Sequence, residues 1–495
     1  MQKRLVLIYI NNLSLAKSGQ ANLSSSLFVF MPYDSLETPK SAISDPLVEK
    51  LLKERRAARE FQERRHEAWL DHYELYRNKV RTNRLTQRQA TNIPLMKETI
   101  KTMLSRIDET PSVEWKELSG DEMKEIVYQA VWDDQFKKRR FEWSDIIDKK
   151  NVLLYGVSSR KLNPVKDGVR VDVLDVYDAV YDPLMNPMDI ETARFIVHQN
   201  IFRTLREILA DTRYEERGKA ALRQWALSKD GIVQSEKNKE ELEKKQERLK
   251  SMGVDNDEFA RFAGGDVLVN LCEHYTKVWN TKSQQFEKRV YVYANDEHLL
   301  LDELLKDLIG EDFWPFVLWS EDVEGNDVYP DSVADLVRVP NQVLNVWFSQ
   351  LVENRTLRNF QMHWYDATVQ GYQPQTYEPG PGRMLPAPGD PAKTIMPVSI
   401  TGLDETLTAI DFLIRIVERG SGATAIEKGV SEKKQITLGE VEILVGKAME
   451  RAVTMTKFSR AAMYDLALKW DRLMHANAPK MVKLFKRDRD GRMWP

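Results

Sequence analysis

At 495 residues, 42% hydrophobic and 30% charged, the chain is long enough for roughly two or three cored domains and too apolar to be disordered as a whole. Its 73 Lys and Arg against 76 Asp and Glu, a net charge of −3, give no overall pull toward nucleic acid or membrane. The single cysteine, Cys272, excludes an internal disulfide and reads as a small buried residue; no run reaches the roughly eighteen apolar residues of a membrane helix.

Residues 1–44 read as a flexible tail. Met1-Gln2-Lys3-Arg4 followed by Leu5 to Ile10 mimics a signal peptide, but Asn11-Asn12 cut its apolar core short; a translation start at Met31 is the alternative to one at Met1. Residues 45–330 read as an α+β platform. From Asp45 to Arg81 a densely charged helix carries Leu47, Leu51, Leu52, Phe61, Trp69, Tyr73 and Tyr76 on its apolar side. Arg55, Arg56, Arg59, Arg64 and Arg65 invite a nucleic-acid reading, yet Glu54, Glu60, Glu63 and Glu67 interleave at helical spacing, so a solvated, salt-bridged face is expected. A second helix follows Pro94, with Leu95, Thr99, Met103 and Ile107 on one stripe, and stops before Pro111. Two more, Asp121 to Phe136 and Phe141 to Leu154, flank Lys137-Lys138-Arg139-Arg140, a basic knot that either meets a partner or simply faces solvent at a helix end.

From Val157 the period drops to two, with Lys166-Asp167-Gly168 as a hairpin turn before Val169, Val171 and Val173. Ala193 to Asn200 is a further strand, and Thr204 with Glu207 forms a capping box for the helix that follows. Ser235 to Lys250, alternating Lys and Glu, reads as an exposed helix or a disordered insertion. Val267 to Trp279 and Phe286 to Tyr293 make a hairpin around Asn280 to Ser283, and Phe313 to Trp319 is an aromatic strand or loop.

The remainder reads as a column. A helix within 331–360 opens at Pro340, whose fixed φ suits a first turn, and repeats Val343, Leu344, Trp347 and Leu351. Residues 361–400 carry prolines at 374, 379, 381, 386, 388, 391 and 397, a density that forbids helix and leaves edge strands and turns. A returning helix, 401–420, places Leu403, Leu407, Ile410, Ile414 and Val417 on one stripe and ends at Gly420-Ser421-Gly422; it should run antiparallel to the first. After a polar loop, 421–437, Thr437 and Glu440 form a capping box for a very long helix, 438–478, with Val441, Leu444, Ala448, Ala452, Met463, Leu466, Trp470 and Leu473 in period until Pro479. Gly446 and Thr454-Met455-Thr456 are plausible kinks, and the charged outer positions leave one apolar seam to pack on the platform or on neighbouring chains.

In order along the chain, Asn92-Ile93-Pro94, Tyr155-Gly156, Val180-Tyr181-Asp182-Pro183, Ala193-Arg194-Phe195 with His198, Thr204-Leu205-Arg206-Glu207, Trp314-Pro315-Phe316, Pro340-Asn341-Gln342 with Asn345, and Gln435 to Val441 resemble the portal proteins, or head-to-tail connectors, of tailed bacteriophages. The resemblance covers about Trp69 to Pro479. It implies an α+β wing (45–330), antiparallel stem helices (331–360 and 401–420), a small α/β clip (361–400), a tunnel loop (421–437), a long kinked helix (438–478) and a short basic crown or tail (479–495). It further implies a dodecameric ring in the virion, assembled in the host cytoplasm, through which double-stranded DNA is packaged and ejected. The implied partners are the terminase large subunit, then a tail adaptor, with capsid and scaffolding proteins around the ring. Relatives often continue into a larger crown, whereas here about sixteen residues follow Pro479, so the crown is minimal or the sequence is a fragment.

The motifs of the common enzyme classes are missing. There is no G-x-x-x-x-G-K-[ST], no G-x-S-x-G and no H-E-x-x-H; His66 and His72 are expected on different faces of a surface helix, and neither a metal nor another cofactor is expected. Two constellations remain. Lys428, Glu432, Lys433, Lys434 and Gln435, on the loop that the resemblance makes the tunnel loop, suit backbone-level, sequence-blind DNA contact or a plain exposed loop. Trp364, Tyr365, Tyr372 and Tyr377 beside Arg383 form either a partner-binding surface on the clip or the small core of that tip. The near-balance of eight acidic against six basic residues over 341–419 favours letting a duplex slide over gripping it, because each neutralised phosphate adds affinity. The competing expectations are an oligomeric virion scaffold that never contacts DNA and, second, a nuclease or ATPase of the packaging machinery.

Overall fold

The chain divides into Met1–Ile43 and Ser44–Pro495, and a computed structural model describes residues of the second unit. These are 46–79, 91–116, 122–165, 168–228, 268–322, 327–359, 363–365, 395–397, 404–421, 438–477, 486–487 and 493–494. The charge-alternating stretch 235–250 and the polar loop 422–437 lie outside them.

The architecture is α+β with antiparallel sheets. Helices α1 (Pro46–Tyr76), α2 (Leu95–Ile107), α3 (Glu122–Lys138) and α4 (Phe141–Tyr155) lead into β1 (Val157–Val165) and β2 (Gly168–Val173). Then come β3 (Ala179–Tyr181), β4 (Phe195–Thr204), α5 (Leu205–Ala210), α6 (Glu216–Ser228), β5 (Leu268–Asn280), β6 (Gln285–Ala294), β7 (His298–Leu304), α7 (Leu305–Ile309) and β8 (Phe316–Ser320). The expected boundaries fall within a residue or two for α2, α3, α4 and the β5–β6 hairpin, and the Thr204–Glu207 capping box forms with both reciprocal hydrogen bonds.

Two sheets result. One is β2-β1-β8, with Val165 opposite Gly168 across the β1–β2 turn; the other is β3-β4-β5-β6-β7. The second is buried on both faces, and its strands show why. Phe195, Val197, Cys272, Tyr291 and Tyr293 pack with Leu51 and Ala58 of α1, while Ile196, Leu271, Tyr275, Val290 and Val292 turn to the main core. Cys272 is therefore a core residue, its thiol pushed up to about 11 by burial. The densely charged face of α1 departs from expectation at Arg55, which is buried and forks onto Asp296 at 2.7 and 3.1 Å. Interleaved charge along a helix cannot reveal a partner more than two hundred residues away.

Polar residues fix α4 on β1. Arg160 of β1 reaches Asp145 at 2.7 Å and Asp148 at 2.5 Å, and Lys149 completes the group at 2.7 Å from Asp145; all four side chains are buried. Trp319 of β8 donates to Asp148, and Thr110 donates to Asp145. Two cations and two anions cancel, so the group is tolerated as a unit and costly to break. Arg160→Met should therefore lower unfolding free energy in urea by about 3–5 kcal/mol, the cost of stranding one side of a buried ion pair. A loss below about 1 kcal/mol would mean that the carboxylates find other compensation.

Candidate functional site

The column consists of α8 (Val333–Asn359), β9 (His363–Tyr365), β10 (Ile395–Pro397), α9 (Asp404–Ser421) and α10 (Leu438–Asn477), beyond which β11 (Lys486–Arg487) and β12 (Met493–Trp494) pair. Helix α8 does not open at Pro340. It begins seven residues earlier, because Ser332 and Asp335 cap each other's ends: the Asp335 amide donates to Ser332 Oγ, and the Ser332 amide and hydroxyl donate to Asp335. Pro340 lies inside the helix, where its missing N–H removes a single rung while Val333, Ala334 and Val337 stay buried around it.

Charged groups converge on that first turn. Arg65 forks to Asp331 at 2.6 Å and Asp335 at 2.5 Å. His72, expected at the surface, is fully buried, with Nδ1 2.8 Å from the Leu154 carbonyl and Nε2 3.4 Å from Asp335. Burial works the other way, yet His72, the Ser332 amide and Arg65 hold the Asp335 carboxyl below its ordinary range. The Val333 amide donates to Glu321 at 2.9 Å. Burial nevertheless pushes the Glu321 carboxyl up to about 8, with Asp322 and Asp335 adding to the push. Gly156, at φ +84°, runs so close beneath that a Cβ would sit 2.2 Å from the Pro330 carbonyl oxygen.

Further along, α8 serves as the cap of another helix. Pro94 makes no side-chain cap for α2; instead Asn341 accepts from the Met96 amide at 3.2 Å and Asn345 from the Ile93 amide at 2.8 Å. Gln342 donates to Asp71, and Ser349 exchanges hydrogen bonds with Thr91. The sequence segments Asn92-Ile93-Pro94 and Pro340-Asn341-Gln342 with Asn345 thus meet physically. So do three others: Arg194 forks onto Asp182 at 2.7 Å twice, and Trp314 donates to the Ala193 carbonyl.

Helix α8 has two apolar stripes. The inner one, Val333, Ala334, Val337 and Leu344, packs with α2 and with Ile410 and Val417 of α9. The outer one, Leu336, Val339, Val343 and Val346, repeats at spacings of three and four; Leu336, Val339 and Val346 are 59, 56 and 54% exposed. On α9, Leu407, Phe412 and Ile416 are likewise exposed, so Leu407 leaves the stripe assigned to it. The β9–β10 pair joins the far ends of α8 and α9, with His363 opposite Pro397, so the packed helices run antiparallel. Helix α10 has no break at Gly446 or at Thr454 to Thr456, and its Met463, Leu466, Trp470 and Leu473 seam is buried in the main core. Lys469 donates to the Phe316 carbonyl at 2.7 Å, tying that seam to β8.

Of the residues singled out in sequence, Trp364 and Tyr365 lie in β9, opposite Met396 and Ile395. Tyr372, Tyr377, Arg383, Lys428, Glu432, Lys433, Lys434 and Gln435 lie outside the described residues. Sequence reasoning missed the cluster at the α8 base, although Ser332-x-x-Asp335 was a readable cap signal. Among the described residues no group of His, Cys, Asp and Glu could hold a metal, and no helix is long and apolar enough to cross a membrane.

No family model and no curated protein matches the chain. Among solved structures it is similar to a chain of the "Virion of native gene transfer agent (GTA) particle", at 11% identity and a TM-score of 0.32, over 79% of this chain and 88% of that one. A likeness at that score carries no argument about function.

The Glu321 carboxyl gives the α8 base a pH dependence with a definite sign. From its ordinary value of 4.5 up to about 8 the folded chain keeps a proton that the unfolded chain releases, so stability falls as pH rises through that window and levels off above it. Glu321→Gln, which still accepts from Val333 but cannot ionise, should remove on the order of 2 kcal/mol of that fall between pH 5 and 9 in paired urea titrations. Parallel curves for the two proteins would refute the assignment.

Proposed function

We propose that the chain is a portal subunit: a non-enzymatic protein whose copies form a ring at one capsid vertex and pass double-stranded DNA inward during packaging and outward at ejection. Residues 361–400 would meet the terminase large subunit and later the tail adaptor, and residues 421–437 would line the channel. The carrying observation is the outer stripe of α8. A single copy fills the inner stripe and leaves Leu336, Val339 and Val346 exposed, with half-buried Val343 between them, at the spacing that packs helix against helix.

Supporting it is the order of elements: a helix of about 40 Å, a strand pair, an antiparallel return, an intervening segment and a helix of about 60 Å. The sequence segments that resemble portal proteins also interlock around α8 and β4. A virion scaffold without DNA contact would use the same stripe, so assembly and DNA handling need separate tests.

For assembly, Val339→Glu with Val346→Glu should convert a large, defined oligomer into monomers in sedimentation velocity, with an unchanged circular dichroism spectrum. An oligomer of unchanged mass would remove α8 from the interface. For DNA handling, Lys433→Glu with Lys434→Glu should leave ring assembly intact while shortening packaged DNA or weakening its retention. Particles with a full and stable genome would favour the scaffold.

A further inference from the structure

Strand β2 stands at the edge of its sheet, and the register fixes which of its main-chain groups face outward. The Leu174 amide donates to the Ser159 carbonyl at 2.9 Å, so hydrogen-bonded pairs recur at every second residue of the hairpin: Asp172 with Lys161, Arg170 with Asn163, Gly168 with Val165. The residues between them do not bond to β1. Pro164, opposite Val169, has no N–H to give, and the Leu162 amide, opposite Val171, turns away to the Pro315 carbonyl at 2.8 Å. The N–H and C=O groups of Val169, Val171 and Val173 therefore point off the sheet, and among the described residues nothing is bonded to them there.

The other edges of the two larger sheets are each engaged within the chain. On β3, Gln62 donates to the Ala179 carbonyl at 2.9 Å and the Tyr181 amide donates to the Tyr329 hydroxyl. On β7, the Glu215 amide donates to the Leu300 carbonyl at 2.8 Å, and Gly218 of α6 lies so close that a Cβ would sit 2.3 Å from the Leu299 carbonyl oxygen. On β8, Lys469 donates to the Phe316 carbonyl. Strand β2 has no such cover: Arg170 is exposed and Val171, Asp172 and Val173 are half-buried, so its open pairing groups form a template for a further strand.

We propose that β2 pairs antiparallel with β2 of a second copy across a two-fold axis at Val171, joining two three-stranded sheets into one of six strands. The side chains select both occupant and register. With Val171 opposite its own equivalent, Val169 meets Val173 on the inward face, while on the outward face Arg170 of each copy stands opposite Asp172 of the partner subunit. Within one copy Arg170 Nε already lies 2.9 Å from Asp172, so pairing closes a group of four alternating charges. Sliding by two residues either way sets Arg170 against Arg170 or Asp172 against Asp172, and a slide of one brings open groups against groups already bonded to β1. The contact is distinct from that of α8. A two-fold pairing closes after two copies, so it joins free copies or two rings rather than neighbours within one ring.

The contact is small, so the test traps it covalently. Two full-length variants, Arg170→Cys and Asp172→Cys, are mixed under mild oxidation, and disulfide-linked dimer is read on a non-reducing gel. Cys272 is buried, which leaves the introduced thiols to react. Across the axis, positions 170 and 172 form a non-hydrogen-bonded pair with Cα atoms ~4.5 Å apart, within disulfide reach. Two copies of the same variant hold their thiol-bearing Cα atoms about 8 Å apart, beyond that reach. The mixture should therefore give at least about tenfold more dimer than either variant alone. Adding Val171→Pro to both should abolish the linkage, because it deletes an outward N–H that the ladder to β1 does not use, and the circular dichroism spectrum should stay unchanged. Equal yields from the mixture and the single variants, no linkage in the mixture, or linkage that survives Val171→Pro would overturn the proposal. Because the linkage is read between any two copies, it holds or fails independently of ring assembly.

Discussion

Helix α8 can satisfy only one of its two apolar faces within a single copy, and the rest of the column is arranged around that limit. The inner face is taken up by α2 and α9. Polar side chains then hold the helix at a fixed rotation: the Ser332–Asp335 cap and the Arg65 fork at its base, and Asn341 and Asn345 capping α2 a few turns on. Because those hydrogen bonds are directional, α8 cannot roll to bury the outer stripe against its own chain. What remains open is a face of defined orientation, as an assembly of identical copies requires.

The same trade between buried polarity and exposed apolar surface recurs at α4. Its inward face carries Phe141, Val152, Leu153 and Leu154 together with Asp145, Asp148 and Lys149, and leaves Trp143, Ile146 and Ile147 exposed. The Arg160, Asp145, Asp148 and Lys149 group holds that rotation together with the apolar residues beside it, since stranding any one of its charges would be costly. In helix α10 the Leu466, Trp470 and Leu473 seam is spent inside the main core, and its exposed positions mix Lys457, Arg460 and Arg472 with Val453, Tyr464 and Leu468.

Most elements were legible because their signals are local. The stripe of α2, the Thr204–Glu207 box and the β5–β6 alternation depend on neighbours within a turn or a hairpin. The failures share the opposite property. His72 and Arg55 are buried and Arg65 half-buried against Asp335, Asp296 and Asp331, each more than two hundred residues away, and no spacing rule reaches that far. Pro340 misled because proline suits a first turn, while the actual start was set by a cap at Ser332. Strand β7 and helix α6 passed unread: His298 to Leu304 lacks clean alternation, and α6 adjoins a strongly polar stretch. The candidate site was legible as an order of elements, whereas the second stripe of α8 emerged only once the first had found its partners.

The most direct measurement is an image of the purified wild-type assembly viewed down its symmetry axis. The account predicts a closed ring of identical copies around a central hole wide enough for a DNA duplex. A compact monomer, a linear polymer or an assembly without a hole would contradict it.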